Sequence, residues 1–345
     1  MRLAIIGAGL AGLAAAHRLR SARPELEVVI LEKSRGLGGR AASRRAHGVT
    51  FDHGAQYLKT PTPELHAFIA ELLPHPTLRD IGLPVWTFDG AGQIIPGDPE
   101  QNADAKWSYS DGLTRLAKEL AVGLDIRREV RVERIASLPA GGYRLLGRND
   151  AELVQADLLL LTPPAPQIVD VLARSELPET RCQALIEELS RATYRRCLSV
   201  TLGYPQQPRE RPFYALVNTD RRHPMSWLAY EHRKPGRAVD EQGVLIAQMA
   251  PAWSTEHWED GHEALAATVA GLVAELLDEA LGPPHWSDRQ GWRYSQPDGT
   301  ADAERLHADD GLFFAGDYLA GLGRLHLAIQ SGWEAAARIV AVCRV

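Results

Sequence analysis

The sequence predicts an α/β chain in which a Rossmann-type dinucleotide-binding domain is interrupted by an α+β domain built on a mixed or antiparallel sheet. Three observations predict it. A short apolar run, Leu3 to Ile6, opens directly into Gly7-x-Gly9-x-x-Gly12. From about Gln167 to Trp286 the pattern changes to longer strand-like runs beside helical stripes. The chain then returns to a short apolar run that ends in Gly316-Asp317.

Leu3 to Ile6 has the length and unbroken apolarity of a strand buried in a parallel sheet. Gly7 permits the tight turn out of it. Gly9 leaves room for a pyrophosphate against the backbone, and Gly12 lets the next helix lie close to the sheet. That helix is predicted over about Leu10 to Arg20. Its first N–H groups, at Leu10 and Ala11, and its dipole favour negative charge at the turn. Val28 to Leu31 reads as the second strand. Glu32 closes it, roughly twenty residues past Gly12, where a carboxylate accepts hydrogen bonds from ribose hydroxyls and repels a 2′-phosphate. This pattern specifies a dinucleotide and leaves NAD or FAD open.

The choice follows from Glu32-Lys33-Ser34-Arg35-Gly36-Leu37-Gly38-Gly39-Arg40, which resembles the second signature of the amine oxidase and glutathione reductase-like flavoproteins. The resemblance implies FAD, with Gly38 and Gly39 giving close approach to its pyrophosphate and Arg40 offering a planar fork of donors. Gly48 to Tyr57 reads as a short strand and a glycine-containing turn. It resembles the D-x-G-A-Q-Y element of renalases, a branch of the amine oxidase-like flavoproteins. The implied role is a turn beside the isoalloxazine ring. Gly54 and Ala55 are small enough to admit a flat ring, and Gln56 and Tyr57 reach the flavin or the substrate.

A helix is expected between Pro61 and Pro76, with Leu65, Phe68, Ile69 and Leu72 on one face. Val85 to Ile95 reads as a hairpin turning at Asp89-Gly90. Ile126 to Ile135, Tyr143 to Leu146 and Leu153 to Leu161 read as a small hairpin feeding a buried strand. The resemblance sets the backbone of Val132 against the adenine. Thr162 heads Thr162-Pro163-Pro164-Ala165-Pro166, where proline ends the strand and the border of a cofactor site is expected.

The next region carries two helical stretches, Ile168 to Ala173 and Arg181 to Leu189. Strand-like runs follow at Cys197–Tyr204, Phe213–Val217, Met225–Tyr230 and Val244–Met249. Then comes one long helix, Ser254 to Leu281, striped by Leu265, Val269, Leu272, Val273 and Leu276. This is the domain expected to cover the flavin and choose the substrate. Ser226-Trp227-Leu228-Ala229 followed by Lys234-Pro235-Gly236-Arg237, Pro251-Ala252-Trp253-Ser254 and Trp292-Arg293-Tyr294-Ser295-Gln296-Pro297 resemble segments of bacterial renalases. Gln248 stands where renalases commonly carry a His; it keeps hydrogen bonding and loses the titratable ring. Trp292 and Tyr294 flank an Arg and suit the wall of a pocket for a flat, anionic ligand.

The chain returns to nucleotide binding at Gly311 to Asp317. In these flavoproteins the Asp at the place of Asp317 bonds the ribityl chain, and Gly316 lets the backbone come near. A carboxylate suits a polyol, since its oxygens accept from hydroxyls. The last helix is expected to begin near Gly323-Arg324-Leu325-His326, with Trp333, Ala336, Val340 and Cys343 on its buried side. The resemblance turns its first amides, around Arg324 and Leu325, toward flavin N1 and O2, where negative charge gathers on reduction. The expected division is an FAD-binding domain over 1–60, 105–165 and 287–345, and a substrate domain over 61–104 and 166–286.

Composition sets bounds on this. A length of 345 residues suggests two domains, and 45% apolar with 24% charged residues is ordinary for a globular protein with a large core. A net charge of −6 argues against a nucleic-acid partner. Three cysteines, far apart, suggest neither a disulfide framework nor a metal site and fit a reducing cytoplasm. The apolar residues 3–16 read as a Rossmann opening rather than a signal peptide. No apolar run reaches the ~18 residues of a membrane span.

End to end, the chain resembles renalase-like members of the flavin amine oxidase superfamily. The resemblance implies an FAD-dependent oxidase that moves a hydride from an isomeric dihydro-NAD(P) to flavin N5, with O2 reoxidising the flavin to give H2O2. Such a substrate needs alignment rather than a general base. Accordingly Gln56, Tyr57, Gln248, Trp292 and Tyr294 are pocket candidates, and no residue is assigned a catalytic role. Two alternatives stay open. One is a flavin oxidase or desaturase acting on another amine or a lipid-like compound, for which Lys59 is the nearest lysine in sequence to the flavin turn. The other is a non-catalytic FAD-binding protein.

Overall fold

The structure, a computed structural model, describes residues 1–73 and 75–343. The chain forms two compact units, each assembled from separated segments. Met1–Ala41, Leu116–Tyr194 and the chain from Gln296 onward make the first; Ala42–Arg115 and Arg195–Ser295 make the second.

The first unit is built on a parallel sheet in the order Leu312–Phe314, Leu158–Leu161, Arg2–Ile6, Glu27–Glu32, Asp125–Arg128. Alternate residues point to opposite faces. Ala4, Ile6, Val29, Leu31, Leu159, Leu161, Leu312 and Phe314 share one core with the antiparallel meander Arg134–Ser137, Tyr143–Leu146, Glu152–Ala156. Ile5 faces the other way, toward the helix Leu10–Ala22. The helix Leu325–Val342 packs on that helix through Gly332, where a Cβ would lie 2.3 Å from Ala11 O; no larger residue allows this approach. Arg18 caps the crossing over the Trp333 ring at 4.9 Å. The buried stripe of the last helix is Ile329, Gly332, Trp333, Ala335, Ala336 and Ile339, so Val340 and Cys343 sit at its half-buried margin.

Two expectations change here. The helices Ala165–Leu172 and Glu179–Ser190, expected in the second domain, belong to the first unit, because Ile168, Leu172, Leu185 and Leu189 complete its core. Ile126 to Ile135 is not one strand. The chain bends at Glu129 (φ 60°), Val130 N donates to Glu32 O at 2.9 Å, and Val132 drops into the core.

The second unit carries a mixed sheet in the order Trp286–Pro297, Tyr194–Tyr204, Gly243–Met249, Met225–Tyr230, Ala215–Asn218, Val85–Phe88, Ile94–Ile95. Its two faces follow the period of two. Leu245, Ala247 and Met249 pack on Leu265, Val269, Val273 and Leu276 of the helix His262–Leu277. Val244 and Ile246 pack instead on Val49, Phe51, Ile81 and Tyr57. That second core is why residues 42–60, expected in the nucleotide domain, fold with this unit. Residues 105–115 do so through Trp107–Tyr109, which pairs with Leu78–Asp80, and 287–295 do so as an edge strand. The expected helix from Ser254 to Leu281 is two helices, Pro251–Glu256 and His262–Leu277, with Gly261 capping the second. Pro63–Ala67 is helical, capped by Thr62, and continues as a π turn over Phe68–Leu72; Pro74 lies outside the described residues. Among the described residues no helix is long and apolar enough to cross a membrane.

Candidate functional site

The first unit holds a glycine cradle. Gly7 has φ 104°, a left-handed value that glycine takes without strain, and its N–H donates to Leu31 O at 2.9 Å. A Cβ on Gly12 would stand 2.3 Å from Gly7 O, so the third glycine is required for the helix to start where it does. Glu32 ties the loop down. Its Oε2 accepts from Ala8 N at 2.8 Å and its Oε1 from Ser34 N at 2.7 Å. Gly38 N donates to Ala8 O at 2.9 Å, which lays Gly38-Gly39 alongside Gly9. Thr162 clamps the loop from the next strand, its Oγ1 donating to Ile6 O at 2.8 Å. Lys33 is exposed and donates to Gln167 at 2.6 Å.

The late motif joins this cradle. Arg40 makes a two-pronged pair with Asp317, at 2.6 and 2.9 Å, and Tyr194 donates its hydroxyl to Asp317 Oδ1 at 2.9 Å. The Arg40 guanidinium also lies over the Tyr194 ring at 5.6 Å. Burial, then the carboxylate of Asp317, pushes the Tyr194 phenol well above its ordinary range. The fork of Arg40, expected to meet a pyrophosphate, is therefore partly committed to Asp317. Leu325–Val342 starts after Arg324, an exposed residue that gives it no side-chain cap, and no acidic residue stands in its first turn. Leu10–Ala22 starts after Gly9 in the same way. A Cβ on Gly9 would meet nothing within 4 Å, so the turn has open space in front of it. Two uncapped helix starts, a carboxylate at the ribose position and open backbone at Gly9 fit an anionic dinucleotide.

The second unit gathers the pocket candidates around the turn Asp52–Tyr57. Gln56 Nε2 donates to Asp52 O and, at 3.1 Å, to Gly54 O; its Oε1 accepts from Tyr214 at 3.3 Å. Gln248 Nε2 donates to Gly54 O at 2.6 Å, and Trp292 Nε1 to His53 O at 2.9 Å. The His53 ring stacks on Trp292 at 5.5 Å, and Tyr57 lies 6.1 Å from Trp227. Tyr294, two residues on from Trp292 in the same strand, projects to the same face and is half-buried. Three candidate donors thus serve the turn itself. Burial, followed by nearby Arg44, pushes His53 down to about 4, with Asp288 and Asp52 opposing.

Beneath the turn lies a buried charge cluster that the sequence reading does not contain. Asp52 meets Lys234 at 2.8 Å and Arg237 at 2.7 Å; Glu231 meets Lys234 at 2.8 Å and also pairs with Arg237. All four side chains are at most 1% exposed. Ser43 Oγ at 2.5 Å and Leu113 N at 3.0 Å also donate to Asp52, whose own N–H donates to Glu231 at 3.2 Å. Burial alone would raise the Asp52 carboxyl, but Arg237 and Lys234 outweigh it and hold it far below the usual range. Burial keeps Glu231 above its ordinary value despite the same two cations. Lys59 points elsewhere, to Gln101 O at 2.8 Å and Asp104 at 3.5 Å. Among the described residues no cluster of metal-ligating side chains occurs.

Residues 5–72 match the NAD(P)-binding Rossmann-like domain family, and residues 85–340 match the family described as flavin containing amine oxidoreductase. The chain belongs to the flavin-containing amine oxidoreductases. It is an FAD-dependent oxidoreductase, and the cradle's chemistry agrees with that cofactor. Solved structures share the fold over nearly the whole chain. A protein from Exiguobacterium sp. 255-15 assigned as a protoporphyrinogen oxidase has a TM-score of 0.76 at 19% identity, covering 99% of this chain and 98% of that one. Putrescine oxidase bound to putrescine has a TM-score of 0.72 at 17% identity, covering 99% of both chains. In sequence, the 4,4'-diapophytoene desaturase (4,4'-diaponeurosporene-forming) of Staphylococcus aureus strain Newman is 41% identical over 70 residues, 20% of this chain and 14% of that protein.

Proposed function

We propose that the protein is a renalase-like oxidase acting on isomeric dihydro-NAD(P). The observation that carries this reading is the chemistry of the Asp52–Tyr57 turn and its neighbours. Aromatic rings (Tyr57, Trp227, Trp292) and neutral amides (Gln56, Gln248) dominate it. His53 is a poor proton acceptor near pH 7 because burial, then Arg44, holds it near 4. The four charges beneath cancel one another. Such a face aligns a flat substrate and removes no proton from it. A dihydronicotinamide meets that limit, since its ring nitrogen lone pair expels the hydride and leaves an aromatic pyridinium.

FAD, when bound, would supply the hydride acceptor, and its reoxidation by O2 with a proton from solvent would give H2O2. Glu32 would receive the adenosine ribose, and the starts of Leu10–Ala22 and Leu325–Val342 would favour the cofactor's anionic parts. Gly7, Gly9, Gly12, Gly38 and Gly39 would give backbone approach, while Thr162 holds the loop rigid. An amine oxidase or desaturase is the alternative outcome of one test. The holoenzyme is mixed anaerobically with isomeric dihydronicotinamide nucleotides, then with amines. Loss of the visible flavin band at one equivalent of the dihydronicotinamide is expected. Loss only with amines, or with neither, rejects the proposal.

A further inference from the structure

The edge strand Trp286–Pro297 carries a second aromatic site, well away from the Asp52–Tyr57 turn. Trp286 and Trp292 are six residues apart, so they project to the same face and stand about 20 Å apart along the strand at ~3.3 Å per residue. Trp286 lines a cavity of about 340 Å³ together with His47, Tyr204, Pro205, Gln242 and His285, all within the second unit. Its wall is a stack. A Cβ on Gly203 would stand 2.0 Å from the Trp286 ring, so only glycine lets the indole lie against that strand. The His47 imidazole stacks on the same indole, with ring centres 4.4 Å apart and planes 12° from parallel. His47 and Gly48 form the two-residue turn of the hairpin Arg44–Ala46, Val49–Phe51, at φ 54° and 79°. That backbone suits Asn or Gly and is unfavourable for His, so the imidazole is presented here at a conformational cost. His47 is exposed, and no other ring lies against it, so it is free to carry a further ring. The polar groups around it are unspent. The imidazoles of His47 and His285, the Gln242 amide and the Trp286 N–H make no hydrogen bond to any described residue. The buried Tyr204 hydroxyl has no partner either. Neither Asp, Glu, Lys nor Arg lines the cavity. A flat heterocycle without charge, with donors and acceptors on its edge, meets these terms.

We propose that this cavity is the subsite for the adenine base of the substrate, with His47 as its stacking platform and Gln242 and His285 meeting its edge. This rests on the dihydro-NAD(P) reading above. A dihydronicotinamide beside Trp292 leaves the second base of the dinucleotide to be placed. The ~20 Å from Trp292 to Trp286 suits two bases joined through two riboses and a diphosphate. The strand that links the two sites is the outermost of its sheet, so no further strand lies along that path. A base site of this kind recognises free adenosine whether or not the reading of the reaction holds.

The test uses holoenzyme of the wild type, His47→Asn and Gln242→Leu. The first change removes the platform and leaves Asn-Gly, the pair that a two-residue hairpin turn prefers, so the fold is kept. Each protein is reduced anaerobically by an isomeric dihydronicotinamide dinucleotide and by the matching mononucleotide, which lacks the adenine half. The wild type is expected to favour the dinucleotide by about tenfold in kcat/KM, the worth of stacking one base. His47→Asn should lose most of that preference, and Gln242→Leu about three- to fivefold of it. Both losses should appear in KM, with kcat kept and the mononucleotide oxidised as by the wild type. Equal losses with both donors overturn the subsite, as does a wild type that does not distinguish them. If neither donor reduces the flavin, the substrate reading has failed, and the cavity is tested alone by titrating adenosine against tryptophan fluorescence. Saturable quenching that is lost in His47→Asn upholds the base site; no quenching, or equal quenching in both proteins, overturns it.

Discussion

Lys234→Met removes one cation from the buried cluster and leaves Asp52 and Glu231 sharing Arg237. Each lost contact is 2.8 Å long, worth about 6 kcal/mol at an effective dielectric of ~20 before desolvation is counted. The loss of stability is much smaller than two such terms. Removing the ammonium also removes its burial cost, and one carboxylate can take up a proton to restore neutrality. Glu231 is the group that does so, because burial already holds it above its ordinary value of 4.5. Protonating it therefore costs less than it would for an ordinary carboxyl, and less at pH 5 than at pH 7. The variant should thus be less stable by about 3 kcal/mol at pH 7 and by about 1 kcal/mol at pH 5. The assay is urea unfolding followed by tryptophan fluorescence, which reports on the second unit because Trp333 is the one tryptophan outside it. Lys234→Met/Glu231→Gln, neutral at both pH values, should recover most of the pH 7 loss. An equal penalty at pH 7 and pH 5, or no recovery in the double variant, refutes the reasoning.

Other substitutions test the remaining parts. His53 is neutral in the fold down to about pH 4 and titrates near 6.5 when unfolded, so the unfolded chain binds more protons in that window. Stability tied to His53 is full above pH 6.5 and falls by about 3 kcal/mol as pH drops to 4; His53→Phe should flatten that slope in urea titrations. Gly12→Ala drives a Cβ to 2.3 Å from Gly7 O and should lower retained FAD at least about tenfold, read from the flavin-to-protein absorbance ratio after gel filtration. Asp317→Asn should cost about 1–3 kcal/mol, and a double-mutant cycle with Arg40→Ala should return a coupling of similar size.

The nucleotide cradle is legible in the sequence because its chemistry is local. A strand, three glycines and an acidic residue at fixed spacing must fold together, and Glu32 does bind the loop through Ala8 and Ser34. The sheet of the second unit is legible as runs of period two. Its charge cluster is not, because Asp52 and Lys234 stand 182 residues apart and nothing local in the Lys-Pro-Gly-Arg stretch names its partners. The same distance hides the partnership of Arg40 with Asp317, 277 residues on, and with Tyr194. Domain limits are misjudged where helical stripes such as Ile168–Leu172 carry no sign of which core they complete. The break before His262–Leu277 is open to reading, since the polar run Glu259-Asp260-Gly261-His262-Glu263 interrupts the apolar period there. Gln56, Gln248 and Trp292 are found as a group, and only the fold reveals that their donors serve the backbone of the turn.

The strand order of the first unit also bears on how the protein is made. Arg2–Ile6 leaves the ribosome early, yet its neighbour Leu158–Leu161 and the edge strand Leu312–Phe314 are translated far later. At ~5–20 residues per second, roughly 15–60 s pass before the last strand and its closing helix emerge. Throughout that interval the small-residue side of Leu10–Ala22, which receives Leu325–Val342, has no permanent cover. Nascent chains stalled before residue 312 should therefore bind holdase chaperones and be cleaved readily by proteases, and both liabilities should end together once Leu325–Val342 is released.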